Sequence, residues 1–82
     1  MTTPFMMRFA ENVVDRLLAE KLAEITPGGR ASVVTFVAAF LATSAQGGSL
    51  ISGLEQALLK CPEVTELYAD VDRLKQLVDD LA

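Results

Sequence analysis

The chain has 82 residues, a net charge of −4 and no histidine. A chain of this length forms one domain. Its seven basic residues do not gather into the positive patch that nucleic acids require, so we expect no nucleic-acid partner. Without histidine, and with a single cysteine, the common nucleophile–base pairs and zinc sites cannot be built. The composition therefore predicts a protein that is not an enzyme and that binds no metal or cofactor.

Composition also bears on location and assembly. The single cysteine excludes an internal disulfide and is typical of a reducing compartment. Residues 1–8 lack the pattern of a signal peptide, so we expect a cytoplasmic location. Hydrophobic residues make up 51% of the chain, which is more than a small monomer needs. We therefore expect a homodimer whose subunits share apolar surface.

The pattern predicts an all-α domain of four helices. The first helix, over about 4–25, carries an apolar stripe at helical spacing: Ala10, Val14, Leu17, Leu18, Leu22 and Ile25. Thr3 is its expected N-cap and Pro4 its first residue. The helix ends before Pro27, because the residue that precedes a proline avoids the helical conformation. Pro27 and Gly28 are typical of a type II turn.

The second predicted helix, over about 31–46, carries no charge and lies between the pairs Gly28-Gly29 and Gly47-Gly48. A buried strand is the alternative, because Val and Thr favour strands, but the segment is long for a strand. Small residues share one side of this helix, and larger ones share the opposite side: Ala31, Thr35, Ala38, Ala42 and Ala45 against Val33, Val37 and Phe40. A helix that is apolar nearly all round is buried, so we expect this helix at the centre of the fold.

The third predicted helix covers about 50–61. It begins at Ser49 or at Ser52, and the capping-box spacing of Ser52 and Glu55 favours the later start. Cys61 lies on the apolar side of this helix, so we expect a buried thiol rather than a reactive one.

The fourth predicted helix covers about 63–81 and begins after Pro62. Its apolar residues follow a heptad pattern: Val64, Leu67, Val71, Leu74, Val78 and Leu81. Such a seam packs against a partner helix, which is helix one or two of the chain or the same helix of a second copy. The whole net charge falls in residues 63–82, which hold six acidic and two basic residues.

These features favour a small protein-binding module, an adaptor or an inhibitor, that acts through apolar and acidic helix surfaces. Two surfaces are candidates. The first is Phe5, Met6 and Met7, in which adjacent methionines would make an adaptable apolar contact. The second is an acidic side of the fourth helix that would attract a basic partner: Glu63, Glu66, Asp70 and Asp80.

Two other hypotheses stay open. The segment Gly47-Gly48-Ser49-Leu50 resembles the segment of acyl and peptidyl carrier proteins in which a serine at a helix start receives phosphopantetheine. The resemblance implies a carrier protein modified on Ser49, although Gly48 stands where that family usually has Asp or His. Separately, residues 31–54 carry no charge, and about 20 apolar residues span a bilayer, which would suit a small membrane-active protein. Because Gln46 and the two glycines interrupt that run, we expect no membrane-spanning segment.

Overall fold

The computed structural model of the chain describes residues 4–44 and 50–81. Within these residues the four predicted helices are present, and the mostly helical prediction is confirmed. The prediction of an all-α fold is wrong in one respect, because two short segments pair as an antiparallel sheet. The elements are α1 (Pro4–Ala19), β1 (Ala23–Ile25), α2 (Arg30–Ser44), α3 (Leu50–Lys60), β2 (Val64–Leu67) and α4 (Val71–Leu81).

The four helices form a closed ring around one core. α2 packs mainly against α1 and α3, and α4 packs mainly against the same two helices. α2 and α4 therefore occupy diagonal corners of the bundle. The large side chains that fill the centre are completely or almost completely buried, and every helix contributes to them: Val13, Val14, Leu17, Val33, Val37, Leu41, Leu54, Leu58, Leu74 and Leu77.

α1 ends at Ala19, so the prediction of a helix as far as residue 25 is wrong. Lys21 adopts a left-handed conformation, with a φ of 58°. The amide of Leu22 donates to the carbonyl of Leu17 at 2.8 Å, and the amide of Lys21 donates to that of Leu18 at 3.2 Å. This pair of hydrogen bonds is the Schellman motif that closes helices. Glycine usually takes the left-handed position, and a lysine there gives no sequence signal for the end of the helix.

The chain that follows α1 enters a short β ribbon. β1 pairs with β2 in antiparallel register, with an irregularity after Glu24. Two further backbone bonds extend the pairing, from the Thr26 amide to the Glu63 carbonyl at 2.9 Å and from the Tyr68 amide to the Leu22 carbonyl at 2.7 Å. The ribbon thus joins the α1–α2 connection to the α3–α4 connection at one end of the bundle.

The turn between β1 and α2 confirms the prediction for Pro27 and Gly28. Gly28 has a φ of 75°, which the third residue of a type II turn requires. The amide of Gly29 donates to the Thr26 carbonyl at 2.8 Å and closes the turn.

The predicted range of the third helix agrees with α3, but the preference for a start at Ser52 is wrong, because α3 begins at Leu50 and Ser52 lies inside it. The predicted start of the fourth helix is wrong. α4 begins at Val71, where the Asp70 carboxylate accepts a hydrogen bond from the Arg73 amide at 2.7 Å, as an N-cap does. The heptad seam therefore does not run through one helix, because its first two members lie in β2: Val64 and Leu67.

Candidate functional site

α2 buries one side and exposes the other. The buried side consists of Val33, Val34, Val37, Ala38 and Leu41. Arg30, the first residue of α2, is also exposed and pairs with Asp15 of α1. The other side chains from 31 to 43 are exposed or half-buried, and we call them the outer face of α2: Ala31, Ser32, Thr35, Phe36, Ala39, Phe40, Ala42 and Thr43. The prediction that this helix is buried nearly all round at the centre of the fold is therefore wrong. A helix at a corner of a four-helix ring has only two neighbours, so one side of it must point outward.

The outer face of α2 carries no charge, and this separates it from the equivalent surface of α4. α4 occupies the diagonal corner and exposes a charged surface of the kind that water solvates well: Asp72, Lys75, Gln76, Asp79 and Asp80. The two helices thus have equivalent positions in the bundle and opposite surface chemistry. The position alone does not account for the neutral outer face of α2.

The two edges of the outer face differ in shape. Phe36 and Phe40 stack along one edge, with ring centroids 6.3 Å apart and an angle of 26° between the rings. The ammonium of Lys60 lies 5.8 Å from the centre of the Phe40 ring, which places this edge beside α3. The opposite edge, beside α1, has only the small side chains of Ala31 and Ala42.

A shallow, open depression marks the first half of this surface. Its volume is about 440 Å³, and it is lined by Ala31, Ser32, Thr35 and Phe36. The lining has no ionisable group. The depression therefore has the size and the chemistry to receive an apolar or hydroxyl-bearing side chain, and it has no group suited to a metal ion or an acid–base step.

The small face predicted for this helix is divided between core and surface. Ala38 is completely buried, Ala42 is half-buried, and Ala31 and Thr35 are exposed. Ala45 lies outside the described residues. The absence of charge in this segment is the sequence signal that could have identified the outer face. The same absence is typical of a fully buried helix, so the signal alone is ambiguous.

The structure does not bring the predicted N-terminal patch together on one surface. Phe5 is 74% exposed and stacks on Phe9, with centroids 6.4 Å apart. Met6 and Met7 are half-buried and pack against the core instead. Beside Phe5 there is a small cavity of about 210 Å³, lined by Phe5, Arg8, Phe9, Asn12 and Leu81.

The predicted acidic side of helix four is not a continuous surface, because its members belong to different elements. Glu63 precedes β2, and its carboxylate accepts a hydrogen bond from the Cys61 thiol at 3.2 Å. Glu66 lies in β2, and Asp70 caps α4. Asp80, near the other end of α4, lies 3.5 Å from the Arg16 guanidinium of α1. The four carboxylates therefore have separate local environments.

The prediction of a buried thiol is confirmed. Cys61 is 2% exposed, and burial raises the pKa of its thiol. A thiol in this environment is a poor nucleophile, since the thiolate is the reactive form.

Three further predictions concern metal binding, a membrane-spanning helix and the modification of Ser49. Residues 4–44 and 50–81 contain no group of three or more side chains placed to hold a metal ion. No helix in the same ranges is long and apolar enough to cross a membrane. Ser49, the residue that the carrier-protein hypothesis would modify, lies outside them.

We compared the chain with protein-family models, with curated proteins and with solved structures, and found no match in any of the three.

Proposed function

We propose that this chain is a small protein-binding module that acts through the outer face of α2. One observation carries the proposal: α2 and α4 occupy equivalent corners, yet the outer face of α2 has none of the charged side chains that α4 exposes and that a solvated helix usually has. Charged residues are depleted at the centres of protein interfaces, where desolvating them is unfavourable. The neutral outer face of α2 therefore has the composition expected at the centre of a protein interface.

The shape and chemistry of this surface indicate the kind of partner. The stacked rings of Phe36 and Phe40 would act as apolar anchors along one edge. The small side chains of Thr35 and Ala39 would let a second backbone approach closely, since the distance between packed helices depends on the side chains at the contact. The partner that fits best is a helix with an uncharged, apolar side.

Site-specific photo-crosslinking in the cells that make the protein tests this proposal. A photo-reactive residue in place of Ala39 should give a discrete protein adduct, whereas the same residue in place of Gln76 on α4 should give none. The crosslinked peptide should belong to an uncharged helical segment. Thr35→Glu, which adds a charge to the outer face, should abolish the adduct from position 39. Equal labelling from positions 39 and 76, or no adduct from either, would contradict the proposal.

A further inference from the structure

We infer that the occupant of the outer face of α2 is α2 of a second copy of this chain, arranged so that the two helices run in the same direction. This inference rests on the proposed function and adds the identity and orientation of the partner. Three features of the described residues support it: the distribution of charge, the shape of the outer face and the residues at its two edges.

The charge distribution limits where two copies can meet. Each copy has a net charge of −4, and α4 exposes three aspartates and one lysine. Contact between two α4 surfaces would bring carboxylates together, and like charges placed against each other repel. Contact between two outer faces of α2 brings together only alanine, serine, threonine and phenylalanine side chains, so it avoids this repulsion.

The outer face has a ridge of large side chains on one edge and small side chains on the other. Phe36 and Phe40 form the ridge beside α3, and the depression extends from Phe36 to the small side chains of Thr35 and Ala31 on the α1 side. When two such surfaces are related by a two-fold axis that runs along the helices, the ridge of each copy faces the small side chains of the other. The phenylalanine rings then have room in the opposite depression. An antiparallel pair would set ridge against ridge and leave both depressions unfilled.

Residues at the two edges favour the same orientation. Lys60 lies over Phe40 at the α3 edge. Glu11 lies one helical turn before Asp15 on the same side of α1, and Asp15 bonds Arg30 at the start of α2, so Glu11 lies at the α1 edge. Arg8 lines the cavity next to Leu81 and so faces α4 instead. The parallel arrangement therefore brings Lys60 of each copy to the edge that holds Glu11 of the other.

Sedimentation equilibrium of the purified full-length chain, over a wide range of concentration, tests the inference. The unaltered protein should dimerise, and Ala39→Glu should raise the dissociation constant of the dimer by at least about tenfold, because it sets two carboxylates against each other at the contact. Gln76→Glu, on the diagonal helix, is the matched control and should leave the constant unchanged. Circular dichroism should show the same helix content in all three proteins.

Two further sets of variants test the orientation. With oxidised glutathione as the oxidant, Thr35→Cys and Ala39→Cys should each form a disulfide with its own counterpart, whereas an antiparallel pair would form a disulfide only in a mixture of the two variants, between residue 35 of one copy and residue 39 of the other. Cys61 stays in place because it is buried. Lys60→Glu and Glu11→Lys should each weaken the dimer, and the protein that carries both changes should regain affinity.

The outcomes separate this inference from the proposed function. A dimer that Ala39→Glu does not weaken, or that links residue 35 only to residue 39, overturns the inference. A chain that stays monomeric but is crosslinked from position 39 to a different protein also overturns it and leaves the proposed function intact. A monomer that gives no adduct from position 39 overturns both.

Discussion

Glu24 and Glu66 stand directly opposite each other across the β ribbon. Both are exposed, and neither has an ion pair within the part of the chain that the structure describes. Like charges at directly opposed positions destabilise a strand pair. Glu24→Gln or Glu66→Gln should therefore raise the free energy of unfolding, by about 0.2–1 kcal/mol. The double variant should gain little more than either single variant, which urea denaturation of all four proteins would establish. Gains in the free energy of unfolding that add up in the double variant would contradict the pairing.

The same two carboxylates act on a neighbouring phenol. Partial burial and then the negative charges of Glu24 and Glu66 raise the pKa of Tyr68. In the double variant Glu24→Gln with Glu66→Gln, this pKa should fall but stay above its ordinary value, because the burial remains. Tyr68 is the single tyrosine and the chain has no tryptophan, so tyrosinate absorbance reports it alone. Asp72→Asn, on α4, is the control and should leave the titration unchanged.

The ion pair between Arg30 and Asp15 ties the start of α2 to α1. The guanidinium donates to both carboxylate oxygens, at 2.7 and 3.0 Å. These bonds lower the pKa of Asp15 below its ordinary value of 3.8, so the pair stabilises the fold above that pH, and the effect is lost as the pH falls through the lowered pKa. Arg30→Gln should be slightly less stable than the unaltered protein near neutral pH.

This difference between Arg30→Gln and the unaltered protein should shrink below pH 3.8, where the Asp15 carboxylate begins to take up its proton. Both side chains are exposed, so added salt should reduce it too. Urea denaturation at several values of pH would measure it, with Lys75→Gln as a control for loss of one positive charge. A difference that did not change with pH would exclude the ion pair as its cause.

Two adjacent alanines test the orientation of α2. Ala38 is completely buried, and Ala39 belongs to the outer face. Ala38→Leu should lower the free energy of unfolding by about 1–3 kcal/mol, because the core has no room for the larger side chain. Ala39→Leu should change it by less than about 0.5 kcal/mol when measured in dilute monomer. Equal effects on stability at the two positions would mean that the helix is turned differently.

The helical part of the fold could be predicted because it depends on local spacing. The apolar stripe of α1 and the length of α2 are visible in sequence alone. The β ribbon could not, because Leu22 and Ile25 continue the helical stripe of α1 past its end. What stops α1 is the left-handed Lys21, which no propensity indicates. Asp70 was a readable N-cap signal, but the heptad pattern that runs through it favoured an earlier start.

The candidate site could be predicted only in part. The absence of charge around Thr35 and Ala39 is plain in the sequence, but it also predicts a buried helix. Burial depends on how many neighbours a helix has, and the ring of four helices gives α2 only two main ones. The prediction that the acidic residues share one side of helix four was wrong for a related reason. Glu63 and Glu66 would share a helix with Asp80 only if helix four began at residue 63, and α4 begins at Val71.

The central claim is that the outer face of α2 binds another protein. It is tested most directly by the rate at which a thiol-reactive reagent labels a cysteine in place of Ala39. The rate should be compared with that of a cysteine in place of Gln76, in purified protein at rising concentration and in a lysate of the protein's own cells. If the outer face of α2 binds another protein, the residue at position 39 becomes covered and its labelling slows, while labelling at position 76 stays constant. Labelling at position 39 that stays as fast as at position 76 under every condition would contradict the account.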